Sequence, residues 1–402
     1  MQISGFALAA LGEVAADLPE VRPCARHRGE YAFVSPRYRL RASGRRELLT
    51  LATDAGVAEL ARACLAERRR AGEHNALLVG ALPFRADGPA HLVLPETARL
   101  DMHAAPPATP PRAASRRPVA PPRPLRLVPE PDLFCREVEA ATAAIRAGAF
   151  EKVVLSRSMT LRARPAPAAL FDLLCEGNTQ GYSFSIDAGA RGLWLGASPE
   201  LLLRREGRTV VSHPLAGSIP RSTDPAEDAL RARLLLRSDK DLHEHALVVR
   251  SVARTLRDHC PKLDVPPMPS LVATPTMWHL GTELRGELAD PATSSLDLAL
   301  ALHPTPAVCG QPPAPARDFI ARAEGYDRDL FTGLVGWCDA SGDGEWAVTI
   351  RCAALRDDEV TLYAGAGIVA ASQPERELAE TTAKMQTMLD AVLRTAAQAE
   401  AA

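Results

Sequence analysis

The stretch 148–161, GAFEKVVLSRSMTL, decides how the rest of the chain is read. Its residues alternate with the period of two that marks a β-strand. Lys152, Val154, Ser156, Ser158 and Thr160 fall on one face, and Val153, Leu155, Met159 and Leu161 on the other. The helical segment before it ends at Gly148, so the strand opens almost at once with a lysine. Lysines are rarely buried, and a solvated strand start is the plain expectation. The sharper one is an amine whose pKa is lowered so that it acts as a base.

Composition narrows the choice. The chain has 402 residues, enough for one large or two medium domains, and 47 basic against 49 acidic residues leave a net charge of −2. That balance gives no basic footprint for nucleic acid, and aromatics at 4% leave little to stack bases on. A hydrophobic content of 47% supplies a large core, and no apolar run reaches the length of a membrane span. The N-terminal MQISGFALAALGEVAADLPE has no basic region and carries acids early, unlike a secretory signal. Eight cysteines stand singly, with no CxxC pair to suggest zinc or a disulfide framework. A cytoplasmic protein with reduced thiols is expected, many of them small buried hydrophobes.

Residues 1–102 read as a mixed segment. EYAFVSPRYRLRASG (30–44) is strand-rich, DAGVAELARACLAERRRAG (54–72) helical, and NALLVGALPF (75–84) a buried strand. Residues 103–131 are rich in Pro, Ala and Arg with no apolar period, which is the composition of a linker or loop. From 132 to 396 a compact core is expected. Its helices lie at roughly 132–147, 224–260, 314–324 and 374–396, and short turns such as REGRT and LRDDEV join antiparallel strands. This is not the strict strand–helix alternation of a doubly wound sheet or barrel.

Five motifs carry chemistry. In LGASPELLLRR, Glu200 follows Ser-Pro at a turn between apolar strands, where its surroundings can keep a carboxyl protonated as a general acid. In DKDLHEHALVVRSVARTL, Glu244 falls on the apolar stripe of Val248, Val252 and Leu256, and a carboxylate there needs a partner or a metal. HEH lacks the HExxH spacing of a zinc protease, so a magnesium-type oxygen ligand suits Glu244 better. In ELAETTAKMQTML, Glu380 and Lys384 sit at i, i+4 as a surface ion pair, or Glu380 meets Glu244 across a shared metal. In TIRCAALRDDEVTLYAGAGIVAAS, Gly365, Ala366 and Gly367 read as a turn at a strand end whose backbone N–H groups can hold a carboxylate. Arg351 on the neighbouring strand offers a bidentate clamp. In LALALHPTPAVCGQPP, prolines stiffen the chain and leave Ala307 and Val308 as small apolar wall residues. PLAGSIPR adds a stiff turn at Gly217 and Ser218, and MWHLGTELRGEL adds His279. A base, an acid, two metal carboxylates and an anion site together suit acid–base chemistry on a metal-held carboxylic acid.

These motifs resemble those of the chorismate-utilising enzymes, in order from FEKVVLSR, GASPELLLR and PLAGSIPR through DLHEH, LHPTPAVCG and YAGAGIV to AETTAKMQTML. The pattern is most similar to the isochorismate synthases of catechol-siderophore biosynthesis, and FVSPRYRLRASG extends it to the N-terminal part. The resemblance implies an α+β fold of large, mostly antiparallel sheets in a sandwich or spiral, with helices packed outside and chorismate bound in a cleft. It implies Lys152 as the base that activates water for attack at ring carbon 2, and Glu200 as the acid that protonates the departing 4-hydroxyl. Glu244 and Glu380 become Mg²⁺ ligands that also hold the ring carboxylate. Arg351 and the Gly365 loop bind the enolpyruvyl carboxylate, and Lys384 with Gly217–Ser218 completes the anion pocket. Lys152 would have to be largely neutral, its pKa lowered from about 10.4 by burial or a nearby cation. Lysine there implies water rather than ammonia as nucleophile, unlike anthranilate synthase. Ala307 and Val308 imply an enzyme that stops at isochorismate rather than expelling pyruvate to give salicylate. A monomer is expected, with downstream pathway enzymes as candidate partners. His213 before PLAGS, the local CGQPP and the long linker depart from the pattern without touching these groups.

Overall fold

A computed structural model describes residues 29–53, 56–103 and 124–400. Its helices are α1 (Val57–Arg70), α2 (Pro131–Arg146), α3 (Pro167–Gly177), α4 (Pro225–Leu235), α5 (Asp239–Arg257), α6 (Ser295–Leu302), α7 (Pro313–Ala323) and α8 (Pro374–Glu400). The alternating stretch is the strand Lys152–Arg162, and it is buried along nearly its whole length. Its partner on one side is Glu359–Ile368, in unbroken register from Arg162↔Glu359 to Val153↔Ile368. On its other side Gly310–Gln311 pairs with its start and Arg126–Val128 with its later part.

Between those two partners no strand covers Val154–Arg157; the Val154 N–H donates to the Cys309 carbonyl at 2.7 Å, and buried side chains take over beyond it. Arg328 Nη2 donates to the Val154 carbonyl at 2.7 Å, and the Ser156 N–H donates to Glu324 Oε1 at 2.7 Å. Arg328 Nε donates to Glu324 Oε2 at 2.8 Å, and each residue is only 2% exposed. Arg328 Nη1 also donates to the Val308 carbonyl at 2.7 Å. The ion pair thus fills a gap in the sheet edge, where bare backbone groups would be costly.

This strand belongs to a ten-stranded sheet that runs on through Cys352–Arg356, Leu193–Ser198 and Tyr182–Asp187 to the N-terminal strands Glu30–Val34, Tyr38–Ser43 and Thr97–Met102. A nine-stranded sheet takes Leu201–Glu206, Gly344–Val348 and Leu334–Asp339 at its centre, with Leu77–Leu82, His91–Leu94 and Glu47–Leu49 to one side. The N-terminal segment therefore contributes to both sheets. A small sheet joins Leu215–Pro220, Met277–Gly281 and Ser270–Ala273. All these pairings are antiparallel.

The two large sheets face each other across a core that includes Phe33, Phe184, Val335 and Trp337. Helices cover the outer faces. α1, α5 and α6 pack on the nine-stranded sheet, and α2 and α7, then α3 and α8, on the ten-stranded one. The architecture is the α+β sandwich that the sequence implies.

The single helix expected over 224–260 is two. Ser238 caps the second, its Oγ accepting from the Asp241 N–H, and this breaks the run between α4 and α5. α3 and α6 carry signals that were not read, the clearest being the Ser294/Asp297 capping box that opens α6. Of the loop expected over 103–131, residues 104–123 lie outside the described residues, and Arg126–Val128 form an edge strand. The N-terminal 28 residues, including Cys24, also lie outside them. The seven described cysteines are unbridged. Among the described residues no helix is long and apolar enough to cross a membrane.

Removing one partner of a buried pair leaves the other charge uncompensated. Arg328→Met should therefore lower the unfolding free energy by about 3–5 kcal/mol in urea titrations. A loss below about 1 kcal/mol would show that the pair does not hold the strand edge.

Candidate active site

Two corners of the sandwich set the site. Leu193–Ser198 lies in the ten-stranded sheet and Leu201–Glu206 in the nine-stranded one, so Pro199 and Glu200 form the crossing between sheets. Thr349, Ile350 and Arg351 cross back, between Gly344–Val348 and Cys352–Arg356. The corners bond to each other: the Ala197 N–H donates to the Arg351 carbonyl at 3.1 Å and the Val348 N–H to the Glu200 carbonyl at 3.2 Å. Arg351 pays for its corner with φ of 51°, a left-handed conformation that costs a non-glycine residue about 1–3 kcal/mol. Glu200 and Arg351 line one cavity between the sheet corners, α5, α8 and the small sheet.

Glu200 is 3% exposed. Burial pushes its pKa up to about 8, against the Leu215 N–H at 3.5 Å and the charges of Lys152 and Lys384. The carboxyl is therefore mostly protonated at neutral pH, as a general acid must be.

Lys152 is fully buried, with Nζ 3.0 Å from Glu244 Oε1. That nitrogen makes no aligned hydrogen bond. The lysine is buried rather than solvated, which the base reading requires, but the charge beside it is a carboxylate rather than a cation. Glu244 lies 7% exposed on the buried side of α5, on the stripe read from the sequence. Its carboxylate sits so close to Gly367 that a Cβ there would meet Oε1 at 2.0 Å, so only glycine admits it. Glu244 lines the cavity, while Lys152 is not among the lining residues.

Glu380 reaches the same cavity from α8. Burial works to raise its pKa, but Lys384 Nζ at 2.6 Å and the Ser218 hydroxyl donating at 2.9 Å hold it below the usual carboxylate range. Two acids that the sequence reading passed over stand one helical turn earlier. Burial raises the pKa of Asp241, three residues before Glu244, and the nearby Glu244 and Glu380 charges add to the rise. Glu377, three residues before Glu380, is 1% exposed, pairs through Oε1 with Lys240 at 2.7 Å, and leaves Oε2 without a partner. The repeated i, i+3 spacing of 241/244 and 377/380 was the available signal.

Among the described residues no three His, Cys, Asp or Glu side chains gather to grip a metal by themselves. The donors facing the cavity are the oxygens of Glu244 and Glu380, with the orphaned Glu377 oxygen a turn away. An all-oxygen pair of this kind fits Mg²⁺, which keeps several waters and takes further ligands from substrate.

The anion side differs in part from expectation. Arg351 stays cationic although burial lowers its pKa to about 10, and it donates to the Lys384 carbonyl at 3.3 Å. His279 is 3.4 Å from its Nη2 and is held neutral by burial and by the Arg351 and Lys384 charges. Gly217 bends the small sheet with φ of 78°, and a Cβ there would come within 2.9 Å of Asp241 Cβ. Ala307 and Val308 form an apolar part of the wall. Gly365 and Ala366 are not in a turn, because the ladder with Lys152–Arg162 continues to Ile368. Gly365 faces the cavity and its carbonyl accepts from Lys384 Nζ at 2.9 Å. The Ala366 side chain packs into the core beneath α2 and α7, away from the cavity.

The family described as "Chorismate binding enzyme" matches residues 107–393. Isochorismate synthase DhbC of Bacillus subtilis (strain 168) is 46% identical over 377 residues, 90% of this chain and 94% of that protein. Isochorismate synthase EntC of Escherichia coli (strain K12) is 42% identical over 335 residues, 82% of this chain and 84% of that protein. The crystal structure of DhbC from Bacillus anthracis matches with a TM-score of 0.82 at 44% identity, covering 90% of this chain and 95% of that one. Anthranilate synthase component I from Streptococcus pneumoniae TIGR4, at 20% identity and a TM-score of 0.71 over 88% of this chain and 92% of that one, shares the fold. By the family match over most of its length, and by relatives this similar from end to end, the chain belongs to the chorismate-binding enzymes.

Proposed function

We propose that the protein is an isochorismate synthase, adding water at ring carbon 2 of chorismate as the 4-hydroxyl leaves. The observation that carries this reading is Glu200, a buried carboxyl with its pKa pushed up to about 8, in a cavity that also holds the buried guanidinium of Arg351. Lys152 takes the proton from the attacking water, and Glu200 gives its own to the departing hydroxyl. The ring double bonds shift between the two carbons, so the net reaction is an isomerisation. Base duty requires water to reach Nζ, which Glu244 covers in this structure.

Arg351, with neutral His279 beside it, takes the enolpyruvyl carboxylate. Lys384, Gly365 and the Gly217–Ser218 bend shape the rest of the anion pocket. Glu244 and Glu380 would hold Mg²⁺. When bound, the ion supplies positive charge for the ring carboxylate. The apolar Ala307–Val308 wall offers no group to take up the further proton transfer of pyruvate loss, which favours isochorismate as the end product. The similarity to the 2,3-dihydroxybenzoate-specific isochorismate synthase DhbC of Bacillus anthracis supports use in 2,3-dihydroxybenzoate and so catechol-siderophore biosynthesis. Unbridged cysteines support a cytoplasmic protein, and we take it to act as a monomer.

Chromatography with mass detection tests the activity directly. Chorismate with Mg²⁺ should give an isobaric product, and EDTA should abolish it. Salicylate with pyruvate would overturn the reading of the Ala307–Val308 wall. Lys152→Ala and Glu200→Gln should each lower kcat by about 100-fold or more while chorismate still binds. Near-native turnover in either variant would remove that residue from its role.

The acid must carry its proton, so kcat/KM should fall as pH rises through about 8, the value to which burial pushes Glu200. A pH–rate profile flat through that region would contradict Glu200 as the acid.

A further inference from the structure

A second cavity of about 400 Å³ adjoins the first, and the two share Pro199 and Arg351. Its walls come from the C-terminal end of α3, from α8 and from the Thr274–Thr276 turn. Leu174, Met388 and Ala391 line it as buried apolar surface, while the exposed Glu176 and Thr179 mark where it meets solvent. Arg351 is the one cation among its lining residues; the two acids are Glu176 at the solvent side and Asp390, which accepts from Gln386. No carboxylate lies within ion-pair distance of that guanidinium among the described residues. Its contacts are the Lys384 carbonyl at 3.3 Å and His279 Nε2 at 3.4 Å, both long. A guanidinium with no carboxylate in ion-pair range, reached only at longer distance by the Glu380 charge, at the end of a chamber with apolar walls is the recognition pattern for a carboxylate carried on an apolar ring.

We infer that this chamber is a binding site for small aromatic monocarboxylates, separate from the catalytic cavity, whose occupant engages Arg351 and so weakens substrate binding. The effect on substrate rests on the reading of Arg351 as the enolpyruvyl clamp, whereas binding in the chamber does not. One guanidinium serves both cavities, so the two ligands oppose each other reciprocally.

Benzoate is the probe. Calorimetric titration into the full chain reads its binding without turnover, and steady-state rates with chorismate read its effect. Gly177 lines the chamber, and a Cβ there meets nothing within 4 Å, so Gly177→Phe sends a ring into open space. Ala391→Leu narrows the same chamber from α8 and guards against a folding defect in the first variant. Benzoate should bind the wild-type protein and raise the KM for chorismate. Both variants should keep kcat and KM without benzoate, and should lose benzoate affinity by about tenfold or more. The inference is overturned if the wild-type protein does not bind benzoate. Equal affinity in all three proteins overturns it too, since benzoate would then sit in the catalytic cavity. So does a higher KM for chorismate in the variants with benzoate binding unchanged, which would make the chamber part of the substrate's path. Binding as expected in a protein that converts no chorismate would sink the activity reading and leave the site standing.

Discussion

The buried Glu324–Arg328 pair is the constraint from which the rest of the site follows. A strand flanked along its whole length would have left no room beside Val154–Arg157 for the chain that carries Ala307 and Val308. Two charged side chains satisfy that edge instead, and Arg328 binds the Val154 and Val308 carbonyls with one guanidinium. The wall of the cavity and the strand that starts with Lys152 are thereby tied by Arg328 as well as by the backbone pairing of Cys309–Gln311 with Lys152–Val154. The desolvation of such a pair is expensive and is compensated only when its remaining hydrogen bonds are made, as nearly all are here.

Around the cavity, carboxylates are matched to lysines. Lys152 meets Glu244, Lys384 meets Glu380, and Lys240 meets Glu377. Glu200 stands apart from these pairs, and burial pushes its pKa up to about 8. Glu380, held below the usual carboxylate range by Lys384, and Glu200, pushed up by burial, thus line one cavity with opposite charge states. Separation of this sort lets one site offer both a proton donor and an ionised carboxylate near neutral pH.

Much of this was legible in the sequence, because the local signals and the fold agree. The period of two in 152–161, the stripe that carries Glu244 and the Ser-Pro turn before Glu200 each name their own surroundings. The misreadings have local causes. Ser238 looked like one more polar residue in a long helix until its cap to Asp241 was seen. The glycines at 365 and 367 looked like a turn, yet both lie in a strand, and Gly367 leaves the space that the Glu244 carboxylate fills. What sequence could not give was the crossing of chain between sheets, since a corner is defined by partners far away. The covering of Lys152 by Glu244 is equally a matter of tertiary distance, and so is the chamber behind Arg351.

The two corners carry a consequence for how the chain can change. Glu200 and Arg351 sit on connectors of two and three residues, tied to each other through the backbone. Side chains on a strand alternate between faces, so one residue gained or lost in either connector would turn every later side chain of that strand the wrong way. Substitution can tune the cavity, but length cannot vary there without inverting a core. Variation in length among descendants of this sequence should therefore collect at the rims of the sandwich and spare the seams between its sheets.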